Sequence, residues 1–176
     1  MNCYLLKELG GARTPNIQNY NQTINYRAFE QNQPYKLPER SVCILNAPFD
    51  TSIVLFDPFP LFSSEAKKSL ELFLWDCRYK EFIFLDQKNN KREKYFLPFF
   101  YRIKGRLGRQ EDGKETSVYL ESPWPKDIPV VYLQTEQQIL VLIRLDLLES
   151  LMRKGLCGVE VIPVKLRTGG AIDAEH

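Results

Sequence analysis

The sequence predicts an α+β fold: a single domain with a mostly antiparallel mixed sheet, two main helices at about 64–77 and 146–154, and a long irregular N-terminal segment. Three observations predict it. Short apolar runs rich in β-branched and aromatic residues recur between turn residues, as at 42–45, 81–85, 130–133 and 139–145. Two stretches show helical spacing behind a start signal. Residues 7–40 hold Gly10-Gly11, Pro15, Pro34, Pro38 and the asparagines Asn16, Asn19, Asn21, Asn25 and Asn32, residue types that favour turns or break ladders.

In chain order, a short strand over 3–6 precedes that segment. The segment reads as a wrapping loop over 7–40, with a helical turn near 24–30. Runs 42–45 and 53–56 follow, bounded by Pro48, Pro58 and Pro60, and fit buried strands. Ser63-Ser64-Glu65 then opens the first helix, with a serine able to cap free N–H groups and an acid at the positive dipole end. Ala66, Leu70, Phe73, Leu74 and Cys77 form its core stripe. Leu72, Trp75 and Tyr79 fall on the other side. That second apolar side is either covered by segment 7–40, the favoured expectation, or offered to a partner.

Runs 81–85 and 94–107 read as strands joined through 87–90, with Pro98 marking an edge or a bulge. Asp112-Gly113 is a two-residue hairpin signal. Centred there, the hairpin sets Leu107 opposite Val118, Gly105 opposite Leu120, Arg106 opposite Tyr119 and Lys104 opposite Glu121. One face is then apolar and the other polar. In the last third, Asp146-Leu147-Leu148-Glu149 has capping-box spacing with Asp146 as the cap. Leu147, Leu148, Leu151 and Met152 make that helix's apolar face, and Gly155 suits its left-handed exit. Run 159–164 is the closing strand, with Pro163 favouring an edge, and 167–176 reads as a loose tail.

Composition narrows the function. Aromatics at 12% and hydrophobics at 44% exclude wholesale disorder. A net charge of +2 argues against strong nucleic-acid or membrane attraction, so either would need a local patch. No secretory pattern and no apolar run of about 20 residues occurs, which points to the cytoplasm and to no membrane partner. Cys3, Cys43, Cys77 and Cys157 are far apart, and the one histidine is His176. No zinc set is expected, and the cysteines should be reduced and mostly buried. No cofactor is expected either.

The same scarcity disfavours catalysis. A serine or cysteine nucleophile usually needs a neighbouring base, and a terminal histidine is a poor one. Asp50, Asp57, Asp76 and Asp86 could converge as a carboxylate site, but Asp50 and Asp57 lie in turn-like settings. Gly10-Gly11-Ala12-Arg13 and Gly105-Arg106-Leu107-Gly108 lack the lysine and hydroxyl residue of a phosphate loop. One cluster is suggestive. Arg102, Lys104 and Arg106 alternate onto one strand face, with Arg109 just beyond and Tyr101 and Tyr119 near. That face could track a nucleic-acid backbone or meet an acidic protein surface. It could also be an ordinary solvated face, with Glu121 offsetting Lys104 across the hairpin.

Segment 127–165 carries a further signal. A strand leads into a short helix, and Gly155, Leu156, Gly158, Val159, Glu160 and Pro163 follow. This arrangement resembles the C-terminal end of a group of bacterial immunity proteins of polymorphic toxin systems. There a strand and short helix precede a Gly-Leu-x-Gly-aliphatic-or-aromatic-Glu-x-x-Pro run. The strand before that helix often ends in serine, where this chain has Arg144-Leu145-Asp146. The resemblance implies a non-catalytic protein that binds and silences a cognate protein toxin by occluding it. Leu72, Trp75, Arg102, Lys104 and Arg106 are the candidate partner-binding residues. The alternatives are a nucleic-acid-binding module using the basic face of 102–109 and a carboxylate-based enzyme.

Overall fold

The computed structural model describes residues 2–9, 15–47, 54–111 and 115–168. From the N-terminus come β1 (Cys3–Glu8), α1 (Tyr20–Thr23), α2 (Tyr26–Glu30), a 3-10 turn (Pro34–Lys36), β2 (Arg40–Ile44), β3 (Val54–Leu55) and β4 (Leu61–Ser63). Then follow α3 (Ser64–Phe73), β5 (Tyr79–Asp86), β6 (Lys91–Pro98), β7 (Tyr101–Glu111) and β8 (Glu115–Leu120). The chain closes with β9 (Val130–Gln134), β10 (Ile139–Arg144), α4 (Leu145–Arg153) and β11 (Val159–Thr168). It divides into two compact units: Met1–Lys7 with Phe100–Glu149 and Glu160–His176, and Glu8–Phe99 with Ser150–Val159.

The first unit is a closed barrel in the order β1-β10-β9-β7-β8-β11. Closure leaves no exposed sheet edge. It requires two parallel pairings, β7 with β9 and β8 with β11, among antiparallel neighbours. Side chains alternate across each strand. Cys3, Leu5, Ile103, Val118, Leu120, Val131, Leu133, Leu140, Leu142 and Val164 form one buried cluster inside, joined by Trp124. The Trp124 indole N–H donates to the Ile128 carbonyl at 2.6 Å, so the ring is buried without an unmet donor. On β9 and β10 the outward set, Val130, Tyr132, Val141 and Ile143, is buried as well. Burial of both faces is why these strands read as continuous apolar runs.

The second unit holds a sheet in the order β2-β5-β6-β4-β3, with β2 and β5 parallel. Its core is aromatic: Phe29 meets Phe59 edge-on at 5.3 Å, and Phe84 meets Tyr95 at 5.5 Å. The edge strand β2 is covered. Asn19 donates its amide to the Val42 carbonyl at 2.8 Å, and its Oδ1 accepts from the Ile44 N–H at 2.9 Å. Ile17 bridges Leu45 beside it. At α3 the Ser63 hydroxyl accepts from the Ala66 N–H at 3.2 Å, as the sequence predicts.

The α+β expectation is overturned. Strand outnumbers helix by more than two to one, 46% against 21%, and a closed barrel dominates. Several details differ as well. The stretch 94–107 is not one strand: β6 ends at Pro98, which cannot extend the ladder, and β7 starts a new strand in the other unit. α3 stops at Phe73 rather than Cys77. Asp146 lies inside the first turn of α4 rather than at its cap. The wrapping segment contains α1, α2 and the 3-10 turn. β11 runs through Arg167 and Thr168, so the expected tail is strand at its start, and 169–176 lie outside the described residues. The expected pairs Gly105–Leu120, Arg106–Tyr119 and Leu107–Val118 form, but the ladder shifts by one residue between Leu107 and Gln110, and the pairs nearer the loop, Gln110–Thr116 and Glu111–Glu115, are not those of a two-residue turn centred on Asp112-Gly113. That dipeptide lies outside the described residues.

Candidate functional site

The barrel's outer face across β7, β8 and β11 gathers the basic residues. Arg106 pairs with Tyr119 in the β7–β8 ladder, and Tyr119 pairs with Arg167 in the β8–β11 ladder. Three neighbouring strands therefore set Arg106, Tyr119 and Arg167 in one row. The Arg106 guanidinium carbon is 4.6 Å from the Tyr119 ring centroid, and that of Arg167 is 5.8 Å from it. Cation–π contact uses a guanidinium's face and leaves its edge N–H donors for another group. The ring lies against Gly108, where an added Cβ would sit 2.7 Å from Tyr119 Cε2. Gly108 thus leaves the space that the ring occupies.

Lys104 and Lys165 extend the basic face and are exposed. Among the described residues, none of Lys104, Arg106, Lys165 and Arg167 joins an ion pair. Glu121 lies opposite Lys104, as expected, and its N–H donates to the Lys104 carbonyl at 2.9 Å. Their side chains form no ion pair. The charge-offset explanation of the face is therefore weaker than the sequence suggests. Arg102 is different: it is half-buried over the ring of its ladder partner Tyr132, 5.6 Å from the centroid. It shares the strand face with Lys104 and Arg106, but its guanidinium is engaged within the fold.

Beside the row lies a cleft of about 900 Å³. Leu107 and Leu120 reach it from the barrel's inner face, and Lys104, Arg106, Glu121 and Arg167 from the outer face. Side chains of opposite faces meet only at an open end, so the cleft sits on the barrel rim. Its remaining wall is the β9–β10 turn, 134–138. Thr135 orders that turn: its hydroxyl donates to the Gln138 carbonyl at 2.9 Å and accepts from the Gln138 N–H at 3.0 Å. The turn brings Glu136, Gln137 and Gln138 to the cleft.

The other two candidates lie in the second unit. Leu72 is 81% exposed and Trp75 91% exposed, so segment 7–40 does not cover them. The favoured expectation fails because α3 ends before Trp75, which sits in the following turn. The carboxylates do not gather among the described residues. Asp57 and Asp76 are exposed in separate bends. Asp86 accepts from the Lys88 and Asn89 N–H groups and from the Asn89 amide, which closes the β5–β6 turn. Asp50 is outside the described residues. No group of three or more His, Cys, Asp or Glu among the described residues could hold a metal ion. No described helix is long and apolar enough to cross a membrane.

Sequence reasoning placed Lys104, Arg106 and Tyr119 together but missed Arg167, Gly108 and the cleft. The pattern Lys165–Arg167 at strand spacing was the available signal. Among known proteins, no family model matches the chain and no curated protein matches it.

Proposed function

We propose that this protein is a non-catalytic binding protein of the immunity class, which neutralises a cognate bacterial toxin by covering it. The outer barrel face of β7, β8 and β11 is its contact surface. The observation that carries the reading is the Arg106–Tyr119–Arg167 row: two exposed guanidiniums held on one ring, on a closed sheet, with their edge donors unspent on ion pairs among the described residues. Arginine and tyrosine are the residue types that anchor protein interfaces, and pre-ordered side chains lose less entropy on binding. The resemblance of 127–165 to immunity proteins supports it. The two glycines of the matched run, Gly155 and Gly158, take φ of 81° and 71°, a backbone need that other residues meet poorly.

Occlusion needs no chemistry from this chain. It needs about 800 Å² of surface per partner, centred on a few anchors. The test is co-expression with the product of the directly adjacent gene. The reading expects protection of the cells, co-purification of the two proteins, and loss of both with Arg106→Glu/Arg167→Glu. A neighbour that is toxic, unprotected against and never found in complex overturns it.

A further inference from the structure

We infer that the barrel-rim cleft seats an acidic polypeptide segment of the partner, with carboxylates on Arg106 and Arg167 and an adjacent apolar side chain over the part-exposed Leu107. The inference rests on the binding reading above and names the partner chemistry of that same site. Four features carry it. The cleft, at about 900 Å³, has room for a few residues rather than a single ion. Its walls are of two kinds, apolar from the barrel's inner face and cationic from the outer face. A bare anion would use only the second.

The charged groups also discriminate between partners. Lys104, Arg106 and Arg167 face the cleft, and so do Glu121 and Glu136. Two acids among three cations leave the cleft only weakly positive, a poor match for an unbroken run of phosphates, whereas a polypeptide can set carboxylates beside the cations and neutral groups beside the acids. The Tyr119 ring is already taken by two guanidiniums, which makes it a poor platform for a stacking base. Gln134, Gln137 and Gln138 offer amide donors and acceptors along the far wall, suited to peptide N–H and C=O groups.

The experiment uses the full chain and three fluorescein-labelled probes at low salt: an alternating Glu-Leu hexapeptide, hexaglutamate, and an oligothymidylate of matched charge to hexaglutamate. Anisotropy should show the alternating peptide binding several-fold tighter than hexaglutamate although it carries half the carboxylates. Arg106→Glu/Arg167→Glu should weaken it by roughly tenfold or more. Lys91→Glu/Arg92→Glu, on exposed β6 positions in the other unit, should leave it unchanged. Thermal melts check that each variant folds. Hexaglutamate binding as tightly as the alternating peptide would overturn the seating of an apolar side chain. Tighter oligothymidylate binding would make the partner a nucleic acid and overturn the inference. A complex with the neighbouring gene product, without the peptide preference, removes this inference and leaves the binding reading. The peptide preference without that complex does the reverse.

Discussion

A Cβ at Gly105 would lie 2.3 Å from the Tyr119 carbonyl oxygen and 2.9 Å from Leu133 Cδ1. The first is backbone, which cannot swing aside. Gly105→Ala should therefore cost about 1–3 kcal/mol, read from urea midpoints. At Gly108 the obstacle is the Tyr119 ring, a side chain that can turn away. Gly108→Ala should cost less stability yet dislodge the ring that holds Arg106 and Arg167, and so weaken partner binding more than Gly105→Ala does at equal folded fraction. The cysteines separate by environment. Burial pushes the Cys43 thiol up to about 12 and the Cys3 thiol up to about 11, and burial also raises Cys77 to about 11. A raised value keeps the thiol protonated at pH 8, and only the thiolate attacks an alkylating agent. Cys157 is exposed. Iodoacetamide at pH 8 should label Cys157 first in the folded protein, and peptide mapping that finds Cys43 labelled at the same rate would contradict this account.

At the scale of elements, β2 depends on Asn19. Asn19→Ala removes two hydrogen bonds to the strand, a loss of about 1–2 kcal/mol, and uncovers an edge able to pair with another chain. Urea denaturation and light scattering check both parts. α4 enters through a carboxylate: the hydrogen bond from Arg144 holds the Asp146 carboxyl below its ordinary 3.8. A depressed folded value means that the contribution is present above pH 4 or so and is lost as pH falls further. Asp146→Asn should flatten the acid limb of the stability–pH curve below about pH 4, where the wild type falls. These elements also show what a sequence can carry. The register from Gly105 to Leu107 was legible because Leu107, Val118, Gly105 and Leu120 mix faces under a one-residue shift, whereas the irregularity between Leu107 and Gln110 left no such mark. The break at Pro98 was visible, but the strands on its two sides read as continuous because both are half apolar. Asn19 read as loop punctuation, since nothing local shows that its amide meets a strand some 23 residues on.

At the scale of the whole molecule, closure was the illegible step. Parallel pairing of β8 with β11 joins segments separated by two strands and a helix, and no local period encodes it. That pairing is also what brings Arg167 to Tyr119, so an arginine that reads as tail becomes half of the candidate site. The exposed pair Leu72 and Trp75 belongs to the other unit. Trp75→Ser should change stability by no more than about 0.5 kcal/mol and leave binding by the barrel face intact. The proposed role is binding, with the Arg106–Tyr119–Arg167 row as the anchor for the partner. Calorimetric titration of the neighbouring gene product into wild type and Arg106→Glu/Arg167→Glu, at low and high salt, tests it most directly. A tight one-to-one complex is expected, weakened tenfold or more by the reversal, with a steeper salt dependence for wild type. An affinity that the reversal leaves unchanged, or no heat of binding at all, would contradict it.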